Sequence, residues 1–93
     1  MKLKKQEIDD RLRKLQGWQY ADESLKKEFK LKDFSEAMGF VVKIALAAEQ
    51  AQHHPDITIE YNRVKIILTT HSEEGVTEKD FSLAEKMETF VIG

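Results

Sequence analysis

The feature that most constrains this chain is a change of hydrophobic period at Pro55, its only proline. Before it, apolar residues recur at helical spacing over positions 34–48; after it, they alternate with polar residues over positions 57–68. Proline disfavours helical geometry in the residue that precedes it, so a long helix has to end near His53. The chain therefore needs a fold in which a long helix leads directly into strands.

Capping signals mark where the two later helices begin. Asp33 and Thr77 each stand three positions before an acidic residue, Glu36 and Asp80, as N-cap residues commonly do. A third helix is indicated near the N-terminus by apolar residues at near-helical spacing, followed by the stop signal Gly17. The predicted helices span residues 4–15, Asp33 to about Gln52, and a final segment that starts at Thr77.

Alternating segments predict two hairpins. The first has strands around 18–20 and 29–31 with a turn at 21–24, and the second has strands at 57–61 and 64–69. The resulting order is α-β-β-α-β-β-α. This order predicts an α+β fold, in which a four-stranded antiparallel sheet is covered on one face by helices. A chain of 93 residues supplies material for one core, so residues 1–93 are expected to form a single domain.

The chain's three histidines are predicted to meet at one corner of this fold. If residues 62–63 form a two-residue loop, Tyr61 faces Val64 and cross-strand partners have numbers that sum to 125, which places His54 opposite His71. His53 lies one residue back, at the end of the helix. Because an imidazole can donate or accept a proton near neutral pH, this cluster predicts general acid–base chemistry.

Charge and composition exclude several classes of function. The net charge of −2, with acidic and basic residues interspersed, gives no basic field for direct nucleic-acid binding. Without cysteine there is no disulfide framework, thiol nucleophile or zinc-finger pattern, so the cytoplasm is the expected location. No segment reaches the roughly 18–20 apolar residues of a membrane span, and the charged start lacks the apolar run of a signal peptide.

The spacing of seven residues resembles the signature of the pterin-4a-carbinolamine dehydratase family. These residues are Glu49, His53, His54, Pro55, Tyr61, His71 and Asp80. The resemblance extends to the flanks, through Gly17-Trp18 and Asp33-Phe34. It implies dehydration of 4a-hydroxytetrahydropterin to quinonoid dihydropterin and water in tetrahydrobiopterin recycling, with neither a metal nor an organic cofactor.

The resemblance also implies roles for individual residues. His53 and His71 are the acid and base candidates, His54 positions the pterin ring, and Glu49 orients His53. Tyr61 and Asp80 are possible supporting residues, although capping alone would account for Asp80. The residues implied to contact the pterin are Glu49, Gln52, His53, His54, Thr69, Thr70, His71 and Ser72.

Alternatives to a pterin enzyme stay open at this point. Three histidines can bind zinc, but adjacent histidines point apart, unlike those at the helical spacing of common zinc motifs. Some members of the family bind the dimerisation helix of a transcription factor, so an interaction module is a second hypothesis. An accessory role in molybdenum-cofactor metabolism is a third. The middle helix has more apolar surface than one buried stripe needs, which predicts a homodimer or homotetramer.

Overall fold

The computed structural model describes residues 1–91, and its elements follow the predicted order. They are α1 (Lys5–Leu12), β1 (Gln19–Ala21), β2 (Ser24–Lys30), α2 (Phe34–Ala51), β3 (Asp56–Glu60), β4 (Arg63–Leu68), a short 3-10 helix (His71–Glu73) and α3 (Glu78–Phe90). The α+β class is confirmed. No helix in these residues is long and apolar enough to cross a membrane.

The four strands form one antiparallel sheet in the order β1-β2-β4-β3. Alternate residues of the two central strands are buried beneath the helices: Leu25, Phe29, Val64, Ile66 and Leu68. The residues between them on the other face, such as Glu28 and Lys65, are exposed. This alternation is typical of a sheet with one covered face, and it confirms the predicted packing of helices on one side.

The capping predictions for the two later helices are confirmed. The Asp33 carboxylate accepts a hydrogen bond from the backbone N–H of Glu36 at 2.9 Å. Thr77 and Asp80 form a complete capping box at the start of α3. α2 ends at Ala51, where Gln52 adopts a left-handed conformation with φ of 53°. The buried apolar residues of α2 and α3 belong to one core cluster with those of the sheet.

The predicted register of the second hairpin is wrong by two residues. Glu60 pairs with Arg63 and Ile57 with Ile66, so partner numbers sum to 123 and the loop is residues 61–62. Tertiary contacts select this loop, because the Asn62 side chain donates to the Leu31 carbonyl at 2.9 Å. A shift of two residues keeps every side chain on its predicted face.

The corrected register changes how the histidines are related. Ladder pairing of β3 with β4 ends at Asp56 and Ile67, so His54 is not a cross-strand partner of His71. Smaller differences affect the first hairpin, where β2 already begins at Ser24 because Asp22 and Glu23 form the turn with positive φ. The first helix is also shorter than the predicted span of residues 4–15.

Candidate active site

The histidines lie on two segments around one end of the sheet. His53 and His54 connect α2 to β3, and His71 opens the 3-10 helix after β4. Only His53 is buried, while His54 and His71 are exposed. The turn at Gln52 produces this arrangement, because its left-handed backbone reverses the chain and lets the His53 N–H donate to the Ala48 carbonyl at 3.1 Å.

His53 forms a buried pair with Asp80. Its Nε2 lies 2.5 Å from Asp80 Oδ1, and the Asp80 side chain is fully buried in the first turn of α3. Asp80 is therefore more than a helix cap, although capping is what places it here. The predicted supporting residue lies against one of the predicted acid–base candidates.

Two threonines complete the surroundings of Asp80. Its Oδ2 accepts from the Thr77 backbone N–H at 2.9 Å and from the Thr70 hydroxyl at 2.8 Å. The two hydroxyls lie 2.8 Å apart, and the Thr77 hydroxyl accepts from the Lys79 N–H at 3.2 Å. Within residues 1–91, every buried side-chain nitrogen and oxygen has a hydrogen-bond partner. Such a network holds its members in one geometry.

His54 forms a second pair, with Glu49, on the surface. Its Nε2 lies 2.5 Å from Glu49 Oε2, and the two side chains are 58% and 71% exposed. Glu49 thus pairs with His54 and not, as predicted, with His53. The Gln52 side chain turns back to donate to the Glu49 carbonyl at 2.7 Å, which caps the end of α2.

The loop that carries His71 is closed at its base. Thr70 and Gly75 exchange backbone hydrogen bonds of 2.9 and 3.4 Å, and the Glu74 N–H donates to the His71 carbonyl at 3.1 Å. Because Thr70 also donates to Asp80, the His71 loop and His53 are anchored on the same carboxylate. Asp80, and not strand pairing, therefore links the two segments that carry the histidines at the predicted corner.

A shallow cavity of about 240 Å³ opens beside this network, with Thr70, Ser72 and Thr77 in its lining. Its volume lies below the roughly 300–1,000 Å³ that is typical of a small-molecule site. Thr70, predicted to contact a ligand, is buried and uses its hydroxyl inside the protein. The Thr69 hydroxyl donates to the Glu23 carbonyl at 2.8 Å.

Tyr61 lies apart from the other predicted site residues. It occupies the β3–β4 loop, at the opposite end of β3 from His54, and is 67% exposed. Within one chain its predicted supporting role has no structural support, and the role stays a prediction that would require another copy of the chain. Sequence reasoning, in turn, assigned Thr77 to capping alone, and the capping box was the signal that could have placed it beside Asp80.

The histidines and their carboxylate partners do not form a shared metal site. His53 and His54 bind different carboxylates through Nε2. In residues 1–91, no three His, Asp or Glu side chains lie close enough together to hold a metal ion. The arrangement consists of two separate imidazole–carboxylate pairs with the exposed His71 nearby. Its chemistry is that of proton donors and acceptors.

Sequence comparisons identify relatives over nearly the whole chain. The family model described as pterin 4 alpha carbinolamine dehydratase matches residues 1–90. A protein of Sulfolobus acidocaldarius, named as a candidate pterin-4-alpha-carbinolamine dehydratase, is 53% identical over 87 residues, which cover 94% of this chain and 96% of that protein. A protein of Brucella ovis with the same name is 49% identical, with 92% and 91% covered.

Two solved structures are also similar to this chain. A crystal structure from Brucella melitensis, described as a transcriptional coactivator/pterin dehydratase, matches with a TM-score of 0.96 at 46% identity, covering 99% of this chain and 100% of that one. A pterin dehydratase-like protein, described as a RuBisCO assembly factor in the alpha-carboxysome, shares the fold with a TM-score of 0.66 at 20% identity over 78% of this chain and 84% of that one. The chain therefore belongs to the pterin 4 alpha carbinolamine dehydratase family.

Proposed function

We propose that this protein is a hydro-lyase that dehydrates a 4a-hydroxytetrahydropterin to quinonoid dihydropterin and water, as a step in tetrahydrobiopterin recycling. The observation that carries the proposal is the buried pair of His53 and Asp80 beside the His71 loop. Membership of the dehydratase family supports the choice of substrate. The fold is expected to act as one domain.

The reaction needs two proton transfers and little else. The bond from C4a to the hydroxyl oxygen breaks, the leaving hydroxyl takes up a proton to become water, and the pterin loses a proton from a ring nitrogen. We assign proton removal to His53, because a carboxylate that accepts from an imidazole favours it as a base. His71, which is exposed at the edge of the loop, is the donor to the leaving hydroxyl. General acid–base help of this kind is worth about 10²–10⁴ in rate.

The remaining site residues would hold the pterin. His54 and Glu49 form an exposed pair next to His53, suited to bind ring donors and acceptors. Ser72 lies in the lining of the small cavity, and Gln52 lies at the end of α2. The hydroxyls of Thr69 and Thr70 have partners within the protein, so Thr70 would act through Asp80.

Self-association is the second part of the proposal. Four large apolar residues four positions apart lie exposed on α2: Phe34, Met38, Val42 and Leu46. A contiguous exposed apolar row on a helix typically marks a protein interface. We therefore expect a homodimer or homotetramer, working in the cytoplasm.

The same row supports a second candidate function, that of an interaction module. The related Brucella melitensis structure is described as a coactivator as well as a dehydratase. The substitution Val42→Lys distinguishes the two functions, because Val42 lies on the exposed side of α2 and outside the His53 network. An adaptor would lose its partner through this change, whereas the dehydration chemistry of each site would persist.

The direct experiment is a stopped-flow assay in which the protein is added to chemically generated 4a-carbinolamine. The wild-type protein is expected to accelerate loss of the carbinolamine over buffer, and His53→Ala to remove most of the acceleration. Tyr61→Ala serves as the matched control because that residue lies at the far end of β3. No acceleration by the wild-type protein would refute the proposed activity.

A further inference from the structure

The hydrogen bonds behind His53 can run in only one direction. A carboxylate only accepts, so the Thr70 hydroxyl must give its single hydrogen to Asp80 Oδ2. The Thr77 hydroxyl must then give its hydrogen to Thr70, since the two oxygens lie 2.8 Å apart and the hydrogen of Thr70 is already used. The Lys79 N–H donates to Thr77 in turn. The chain of donors therefore starts at the first turn of α3 and ends on Asp80.

The two oxygens of Asp80 are used by different groups. Oδ2 accepts from the Thr70 hydroxyl and the Thr77 N–H, whereas Oδ1 faces only His53 Nε2, at 2.5 Å. Because neither oxygen of the carboxylate carries a hydrogen, the imidazole must donate. In a neutral histidine this places the hydrogen on Nε2 and the lone pair on Nδ1.

Burial gives this arrangement its strength. Asp80 is completely buried, and Thr70 and Thr77 are 5% and 6% exposed. A polar group removed from water costs free energy when its partner is lost, so each member holds the next in place. The exposed pair of His54 and Glu49 has no such second layer among the hydrogen bonds of residues 1–91.

We infer that Thr70 and Thr77 are positioning residues, whose hydroxyl chain holds the Asp80 carboxylate that fixes His53 in the tautomer with Nδ1 free to accept the substrate's proton. The part that concerns the substrate rests on the proposed dehydratase function. The assignment of the His53 tautomer does not depend on that function, so the tautomer and the proposed function can be refuted separately. Neither threonine needs to touch the pterin for this role.

Asp80→Asn is the sharpest test, because the hydroxyl chain dictates the orientation of the new amide group. Two donors converge on Oδ2, so the amide oxygen has to take that place and the NH₂ group has to face His53. The NH₂ group then donates to Nε2, and the imidazole hydrogen moves to Nδ1. Long-range ¹H–¹⁵N spectra of the full chain distinguish the two tautomers. We expect Nε2–H in the wild-type protein, Nδ1–H in Asp80→Asn, and a fall in kcat of about 10²-fold or more with little change in KM.

Threonine variants test the second layer, with a control on the neighbouring residue. Thr70→Val removes the hydroxyl that holds Oδ2, so the carboxylate is less firmly oriented toward His53 and kcat should fall by about tenfold with little change in KM, while Thr70→Ser should restore it. Thr69→Val loses a hydroxyl that bonds only to the Glu23 carbonyl, so it should leave the His53 tautomer unchanged.

Several results would overturn the inference. These are Nδ1–H in the wild-type protein, an unchanged tautomer in Asp80→Asn, or a Thr70→Val protein that keeps the wild-type kcat. If Thr70→Val fails to fold, Asp80→Asn and Thr70→Ser decide. If the wild-type protein dehydrates nothing, the proposed function fails, and the spectra alone decide whether the Asp80 carboxylate sets the tautomer.

Discussion

Two neighbouring histidines bind carboxylates in the same way but in different surroundings. His53 and His54 each bring Nε2 to 2.5 Å from an acidic oxygen. Asp80 is completely buried and has two further donors, whereas Glu49 is 71% exposed. The comparison shows that burial and a second layer of partners, not the residue pair, distinguish a fixed imidazole from an adjustable one. Mutations of the two pairs test that difference.

Removal of the buried carboxylate should have the largest effect. Asp80→Ala leaves His53, the Thr70 hydroxyl and the Thr77 N–H without an acceptor, so it should cost about 3–5 kcal/mol of unfolding free energy. Urea denaturation followed by circular dichroism measures the change. Asp10→Ala, which removes an exposed partner of Arg13, is the control and should stay within about 1 kcal/mol of wild type. Similar losses for both variants would contradict the importance of burial.

Loss of the imidazoles should separate the two pairs by activity. His53→Ala should slow carbinolamine dehydration by about 10²–10⁴-fold, because it removes the proposed base. His54→Ala should have a smaller effect that falls mainly on KM, since His54 is proposed to position the ring. Steady-state kinetics on both variants provide the comparison. A larger fall in kcat for His54→Ala than for His53→Ala would reverse the assigned roles.

Neutralisation of the exposed carboxylate should change little. Glu49→Gln weakens a surface pair, so the unfolding free energy should change by no more than about 1 kcal/mol. The amide can still bond to the His54 ring, so kcat should stay within about tenfold of wild type. A loss of unfolding free energy comparable to that of Asp80→Ala would show that the exposed pair contributes as much stability as the buried pair.

The smallest effect is expected at the far end of β3. Tyr61→Ala removes an exposed aromatic ring from the hairpin loop, and the dehydration rate of the variant should match that of the wild-type protein. A clear fall in kcat would mean that Tyr61 reaches a site in another copy of the chain.

Much of this fold could be predicted from local sequence, because local chemistry decides it. The caps at Asp33 and Thr77 and the corner before Pro55 all depend on residues within one turn, and the structure has each of them. The register of the second hairpin could not be predicted, because the contact of Asn62 with Leu31 is made across 31 positions of sequence. Local spacing had predicted the loop at residues 62–63, one residue further along the chain.

The candidate site was predictable as a set of residues but not as a set of pairs. Spacing indicated that the three histidines belong together, and the family resemblance added Asp80. It did not indicate that Glu49 would turn to His54, which follows from the left-handed conformation of Gln52. Thr70 was expected to contact the pterin, and the fold instead brings its hydroxyl to Asp80 in the first turn of α3. Tertiary contacts of this kind leave no periodic signal in a sequence.

The decisive experiment compares Asp80→Asn with Glu49→Gln in the same stopped-flow assay of carbinolamine dehydration. Each change replaces one carboxylate beside one histidine with an amide of nearly equal size. We expect Asp80→Asn to lose about 10²-fold or more in rate, and Glu49→Gln to lose less than about tenfold. Equal losses, or the larger loss in Glu49→Gln, would contradict this expectation.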